Sequence, residues 1–392
     1  MKVLFLHEVG YLEKPTYEMH ELPEHLASRG HDVTFVDYVE DKTGQRTWKS
    51  SSELGCRVIK GQQIKLRHQN TWFKGLPGRL SAVVMFPFFF RRVLREIEPD
   101  IVVSYSVPTS GWQANLMCRA IGIPYLFRAI DVSHKIRRTR LSWLVLQAER
   151  FVYRKSDWVS ANNEAMRSYC IRNGSSSQTT SVNLPPLDLE HFSSPTSSAH
   201  LLRRELDCTP ETLVILYMGS FFYFSGLKEV VSSLAEVDTN VHLVLIGGGD
   251  EELELRSLVS ELGLESQVTF MGYVPYEELA AYLRLGDVAI NPMKPSLVSN
   301  AALPNKVIQY MAAGLPVVCT RLEGVQSLFT NEQGLKFVKG PEEVLGASIA
   351  FAKSNDLAKL GELNRLAVST RFGLEGPVSD FEGLLLSLVR ST

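Results

Sequence analysis

The segment Pro304-Asn305-Lys306-Val307-Ile308-Gln309-Tyr310-Met311-Ala312-Ala313-Gly314-Leu315-Pro316-Val317-Val318 constrains the fold more than any other part of the chain. A proline suits the first turn of a helix, where its missing N–H costs nothing. Gly314 supplies the left-handed residue that ends such a helix, and Pro316 prevents its continuation. The run from Pro316 to Cys319 then reads as a short buried strand. The unit is therefore helix, glycine stop, strand, with a lysine in the first helical turn and an amide one turn later. A helix N-terminus beside an ammonium is an anion site, suited to a phosphate or diphosphate. The same unit fits an ordinary connection in any doubly wound domain, so its surroundings decide.

Those surroundings alternate strand and helix throughout. Residues 2–7 form a β-like apolar run, followed by a loop through Gly10 and Pro15, a helical stretch from Thr16 to Arg29 and a strand over residues 32–37. Further short buried strands are expected at 101–104, 124–127 and 158–161. In the second half, strands are expected at 213–218, 241–246, 268–270, 287–290 and 316–319, with helices over 250–262 and 276–285. Alternation of this kind predicts right-handed crossovers and parallel sheets. At 392 residues the chain exceeds one ordinary core, so two domains are expected, divided by the turn at Asn183-Leu184-Pro185-Pro186 and the polar run Ser193–Ser198. Ligands of such folds bind beyond the carboxyl ends of the strands.

Charge separates the halves. Residues 1–190 hold 26 Lys and Arg against 19 Asp and Glu, and the remainder holds 15 against 24. A basic half suits an anionic lipid surface or nucleic acid, or attraction between the halves. No nucleic-acid motif accompanies the charge, so nucleic acid is not expected. The five cysteines are scattered without a CxxC pair or a neighbouring histidine cluster, which favours a reduced compartment and no structural metal. No apolar run reaches the roughly 18 residues that span a bilayer, and Met1–Leu6 reads as a strand rather than a leader. The expectation is a cytoplasmic protein.

Three motifs in the second half carry a resemblance. They are Tyr217-Met218-Gly219-Ser220 followed by Ser225-Gly226-Leu227; Leu245-Ile246-Gly247-Gly248-Gly249-Asp250 leading to Val268-Thr269-Phe270-Met271-Gly272-Tyr273; and Asp287-Val288-Ala289-Ile290-Asn291-Pro292 leading to Gln309 through Val317. In this order and at these separations they resemble the donor-binding domain of retaining GT-B glycosyltransferases of the family 4 type. In the first half, Leu26-Ala27-Ser28-Arg29-Gly30-His31-Asp32-Val33-Thr34 resembles the family's first helix and strand. The resemblance covers nearly the whole chain. It implies two Rossmann-like, doubly wound α/β domains: 1–190 on the acceptor side and 199–376 binding the donor. A closing helix, about 377–392, would cross back onto the first.

The resemblance also implies a site. Gly10 and Gly219 would let the backbone approach the donor, with Ser220 beside Gly219, and Gly272 and Tyr273 would meet the base. Asn305, Lys306 and Gln309 would hold the donor, Lys306 facing the leaving diphosphate. Asp131 and His134 would act at the catalytic region. The chain departs from the family's pattern in three places. Ala301 and Gln309 stand where a glutamate pair is common, and a neutral glutamine gives weaker hydrogen bonds to ribose hydroxyls. Ser220 and Ser225 stand where basic residues are expected, with Lys228 nearby. The family's histidine position falls on Ile130.

Retaining transfer in this fold needs neither a protein nucleophile nor a metal, so no cofactor is expected and the donor is a UDP- or GDP-sugar. The acceptor is expected to be a glycan or a lipid-linked species, as in surface polysaccharide or glycolipid assembly. Residues 72–95 and 135–155 interleave aromatic, aliphatic and cationic side chains, which suits peripheral attachment to an anionic membrane face; a core helix with arginines along its edge fits the first stretch equally. Two rival readings remain on sequence grounds: an epimerase or hydrolase of sugar nucleotides on the same fold, and a scaffold that kept the fold and lost catalysis.

Overall fold

A computed structural model describes residues 1–12, 16–38, 58–59, 62–69, 75–136, 141–193, 198–237 and 239–391. The chain forms two compact units, Met1–Leu187 with Leu374–Thr392, and Asp188–Gly373.

The strands of the first unit are β1 (Lys2–Leu6), β2 (Asp32–Tyr38), β3 (Val58–Ile59), β4 (Gln62–Gln63), β5 (Lys65–Gln69), β6 (Ile101–Ser104), β7 (Tyr125–Ala129), β8 (Trp158–Ala161) and β9 (Thr180–Val182). Apart from the small β3–β4 hairpin they form one sheet in the order β5-β2-β1-β6-β7-β8-β9, every pairing parallel. Its helices are α1 (Glu18–Ser28), α2 (Gly75–Ile97), α3 (Gly111–Ile121), α4 (Ser133–Ile136), α5 (Ser142–Lys155) and α6 (Glu164–Arg172). The chain runs outward from β1 to β5, then restarts at β6 on the other side. That makes the β1/β6 junction a topological switch point.

In the second unit, α7 (Leu189–Ser193) and α8 (Ser198–Glu205) precede β10 (Leu213–Ser220), α9 (Leu227–Leu234), β11 (Val241–Gly248), α10 (Glu252–Glu261), β12 (Val268–Gly272), α11 (Tyr276–Leu283) and β13 (Val288–Asn291). Then come α12 (Leu297–Ala301), α13 (Asn305–Ala312), β14 (Val317–Thr320), α14 (Glu323–Gln326), β15 (Leu335–Val338), α15 (Val344–Ser354) and α16 (Leu357–Phe372). The parallel sheet has the order β12-β11-β10-β13-β14-β15, with its own switch point at β10/β13. The final helix, α17 (Glu375–Arg390), belongs to the first unit. There Arg29 meets Glu375 at 3.0 Å and Glu382 at 2.7 Å, and Phe381 and Leu385 join the core around Phe5 and Phe35.

The segment from Pro304 to Val318 folds as its punctuation predicts, with one difference. Pro304 takes the N-cap position, so the first helical residue is Asn305. Gly314, at φ +79°, ends the helix in the left-handed region, where a residue without Cβ is unstrained. Val307, Ile308, Tyr310 and Met311 are buried, each worth roughly 1.5–3 kcal/mol for an aliphatic side chain of this size. The Tyr310 hydroxyl also accepts from the Met218 N–H at 2.6 Å, tying α13 to the end of β10. Of the polar linker, residues 194–197 lie outside the described residues, as do Pro15, Trp72–Lys74, Arg137, Arg138 and Arg140 of the sequence-based expectations.

Candidate active site

At the carboxyl end of β10 the backbone opens around Gly219, whose φ of +135° excludes most side chains. A Cβ there would stand 2.7 Å from Lys306 Nζ, so the glycine leaves the space that the lysine head fills. Lys306 Nζ donates to the Tyr217 hydroxyl at 2.8 Å and lies 4.1 Å from that ring's centroid; the Tyr217 hydroxyl in turn donates to the Ser220 carbonyl at 2.9 Å. Among the described residues no carboxylate pairs with Lys306. Burial without a counter-charge pushes its ammonium down to about 7. The side chain keeps partial exposure. A cation held in the second position of α13, against an open strand end and lacking an acid, is built to receive an anion.

Further candidate groups stand on the neighbouring elements. Gln309, on α13 one turn beyond Lys306, and Ala301, at the end of α12, are both buried. Asn305 begins α13 and is partly exposed. Gly272 adopts φ +70°, and the Tyr273 that follows donates from its hydroxyl to the Gly248 carbonyl at 3.2 Å while 77% of its surface stays exposed. This places an open aromatic ring over the end of β11, the neighbour of β10. Lys228 does not join the group. It pairs with Glu251 at 2.9 Å and with Glu254, so its charge is already matched.

The first unit gathers a second set of groups at its own strand ends. After β1, Glu8 accepts from the backbone N–H groups of Thr109 at 2.7 Å and Ser110 at 3.1 Å, and burial raises its carboxyl's proton affinity. Gly10 is buried in the loop that follows. After β7, Asp131 is partly buried, and burial, then the nearby Glu18 charge, push its carboxyl up to about 6. His134, in α4, is buried against Glu149 of α5: Nδ1 lies 2.7 Å from Glu149 Oε2, and Tyr169 of α6 donates its hydroxyl to the same oxygen at 3.1 Å. Burial raises the proton affinity of the Glu149 carboxyl, and its contact with Nδ1 fixes the orientation of the ring.

Asp131 and His134 therefore lie on one unit, and Gly219, Ser220, Gly272, Tyr273, Asn305, Lys306 and Gln309 on the other. Sequence reasoning missed Tyr217, which orients Lys306, and Glu149, which orients His134. Tyr217 stood inside a quoted motif without a role, and Glu149 carried no local signal.

The Asp131 environment yields a test of sign. Its proton affinity is higher folded than unfolded, so ionising it costs folded-state stability as pH rises from about 4 to about 6. Asp131→Asn is expected to raise the melting temperature at neutral pH by ~2–4 °C, equivalent to about 1 kcal/mol, and to lose that advantage in acid, where the native aspartate is protonated. Thermal melts of both proteins across that range check it.

Comparison with known proteins bears on this geometry. Residues 212–352 match the family model described as glycosyl transferases group 1, and residues 16–184 match that of the glycosyl transferase 4-like domain. The lipopolysaccharide core biosynthesis glycosyltransferase LpsD of Rhizobium meliloti is 24% identical over 322 residues, 81% of this chain and 79% of LpsD. LpsE of the same organism, with the same description, is 28% identical over 188 residues, so that match spans about half of each protein: 47% of this chain and 53% of LpsE. Among solved structures, Anabaena HepE in complex with UDP superposes with a TM-score of 0.76 at 17% identity, covering 99% of this chain and 100% of HepE.

Proposed function

Because the chain belongs to the glycosyl transferases group 1, with a 4-like first half and the GT-B fold, we propose that it moves a sugar from a nucleotide-sugar donor to an acceptor hydroxyl with retention of anomeric configuration. The observation that carries this reading is Lys306: a partly buried ammonium without a carboxylate partner, at the start of α13 and against the open backbone of Gly219. A donor diphosphate is an anion of the size and charge that such a site lacks. The structure of HepE with UDP supports a uridine donor, and a guanosine donor is the second choice. Tyr273 offers a ring face for the base.

In this reading the bond from the anomeric carbon to the diphosphate oxygen breaks as the acceptor oxygen bonds to the same face, and the acceptor proton passes to the departing phosphate. Lys306 and the first N–H groups of α13 stabilise the charge that develops on the leaving group. Asp131 and His134 are assigned to holding the acceptor hydroxyl. We assign the leaving-group charge to Lys306 rather than to a metal ion, so turnover is expected to survive chelation with EDTA.

LpsD and LpsE, by their descriptions, act in lipopolysaccharide core biosynthesis, which supports a surface glycan or glycolipid as the product here. No described helix is long and apolar enough to cross a membrane. Peripheral attachment is proposed instead through α2, whose buried face (Ala82, Phe86, Phe90) packs in the core while Leu80, Val84 and Phe88 form an exposed stripe running on to Arg91 and Arg95. The core-helix reading describes the buried face, and the membrane contact is proposed for the exposed one. Ala301 and Gln309 favour a second reading, a nucleotide-binding scaffold.

A thermal-shift panel of UDP, GDP, ADP and their sugar derivatives, with and without EDTA, tests the donor site. A ligand at 100 times its dissociation constant is expected to stabilise the protein by about 2.7 kcal/mol. A shift with one nucleotide family, followed by sugar transfer or slow donor hydrolysis, supports the transferase; binding without turnover over any acceptor selects the scaffold. Silence across the panel removes the donor site.

A further inference from the structure

The first unit holds an apolar cavity of about 440 Å³ that the donor chemistry does not use. Val83 of α2, Pro108 of the loop after β6, Trp112 of α3, and Leu144, Ala148 and Phe151 of α5 form most of its wall, and the lining is aliphatic and aromatic, with the Trp112 indole N–H as its one polar side-chain group. The volume lies within the range of small-ligand sites. It is not a packing defect sealed in the core, because Leu144 is 46% exposed and Leu141, also on the wall, 45%.

Two features of its position say what fills it. Pro108 adjoins Thr109 and Ser110, whose N–H groups Glu8 holds at the β1/β6 switch point, and Ala148 adjoins Glu149, which holds His134. The cavity wall thus shares its backbone with the segments that carry Thr109, Ser110 and Glu149. Its other neighbour is the exposed stripe of α2: Val83 lines the wall while Leu80, Val84 and Phe88 face outward, and Arg91 and Arg95 follow on the exposed side without a carboxylate partner among the described residues. Trp143 on α5 and Leu116 on α3 extend this apolar rim, at 60% and 47% exposure. Aliphatic and aromatic side chains bordered by unpaired arginines complement an anionic lipid surface.

We propose that this cavity takes the hydrocarbon chain of a lipid-linked acceptor, drawn from an anionic bilayer. The inference deepens the proposed function and rests on it for the identity of the acceptor. The cavity selects by its scarcity of polar groups: a sugar or a peptide would leave most of its hydrogen-bonding groups unpaired there, and a saturated or prenyl chain has none to pair. The α2 stripe serves a separate step, contact with the bilayer from which the chain comes.

Titration of the full chain with dansyl-labelled undecanoic acid, followed by dansyl emission, reads the cavity directly. Wild-type protein is expected to bind the probe, Ala148→Trp to fill the space and weaken binding by at least about tenfold, and Leu144→Asn to weaken it similarly from a half-exposed position that tolerates polarity. A Val84→Ser, Phe88→Ser double variant is expected to keep the probe and lose co-sedimentation with phosphatidylglycerol vesicles. No probe binding by the wild type, or equal binding by both cavity variants, overturns the proposal. A nucleotide-induced thermal shift measured on each protein confirms folding and reports separately on the donor site, so loss of one result leaves the other legible.

Discussion

Lys306→Ala is expected to lower kcat/KM for sugar transfer by about 10²–10³, corresponding to ~3–4 kcal/mol of lost transition-state stabilisation, while leaving the protein folded. The two effects separate because of what surrounds the ammonium. In the free protein Lys306 makes one hydrogen bond, to the Tyr217 hydroxyl, and one contact with the ring face. Together these contribute on the order of 1–2 kcal/mol. Against them stands the cost of a partly buried charge with no carboxylate partner among the described residues, whose size is visible in how far the ammonium is pushed down. The terms roughly cancel, so the melting temperature of the variant should be unchanged or slightly higher. The diphosphate, by contrast, loses its principal cation, since Lys228 is committed to Glu251 and Glu254. Wild-type turnover by a folded Lys306→Ala protein would sink the assignment.

The same lysine sets a pH dependence of definite sign. Its ammonium loses its proton near pH 7 in the folded protein but at about 10.5 when unfolded. Between those values the unfolded chain binds more protons, so the stability of the free protein rises with pH across that window. Binding of a diphosphate requires the charged form. UDP affinity is therefore expected to fall above neutrality by up to about tenfold per pH unit, with a proton taken up on binding. Calorimetric titrations in buffers of different ionisation heat measure that uptake. Lys306→Arg, which stays charged throughout, should flatten the slope even where its geometry costs affinity.

What the sequence disclosed and what it hid follow the range of the interactions involved. The strands β1, β10, β11 and β14 are short apolar runs, with glycines ending β10 and β11 and Pro316 preceding β14, and they were readable one by one. Of the strands that escaped notice, β3 and β4 form the small hairpin, and β5, β9 and β15 stand at the outer edges of the two parallel sheets. Lys65 and Arg67 show why: an edge strand is half solvated and carries charge where a central strand carries valine. Lys306 was legible because its helix start, glycine stop and strand lie within fifteen residues. The partners that give it meaning were not. Tyr217 is 89 positions away, and Tyr169 is 35 from His134. No periodicity encodes such pairs. Composition even points the wrong way for Arg128 and Glu18, since charged residues are ordinarily exposed and these two are almost wholly enclosed.

Glu18→Ala is expected to cost about 3–5 kcal/mol and to lower the melting temperature of the first unit by roughly 10 °C. Arg128 is fully enclosed at the end of β7, where its Nε donates to Glu18 Oε1 at 2.5 Å and its Nη1 to Ser160 Oγ at 2.8 Å, the Asn183 carbonyl at 2.8 Å and the Ala161 carbonyl at 3.2 Å. One guanidinium thus fastens α1, β8 and the chain after β9 to β7, with Phe381 of α17 over its face at 5.8 Å. The intact pair contributes little net stability, because taking two ions out of water offsets most of their attraction. Removing only the acid is different, since it leaves a cation with neutral acceptors and no counter-charge. Glu18→Gln should fall between, keeping a carbonyl acceptor for Nε but not the charge. A double replacement, Glu18→Leu with Arg128→Met, should recover much of the loss, as both ions leave together. There is one opposing term: Glu18 is among the causes that raise Asp131, so its removal eases ionisation of that carboxyl and returns part of the cost above about pH 6. The deficit of Glu18→Ala should accordingly be larger at pH 5 than at pH 7. Urea titrations at both values decide the matter: a deficit under about 1 kcal/mol, or one with no pH dependence, would mean that Arg128 finds a new partner in the variant.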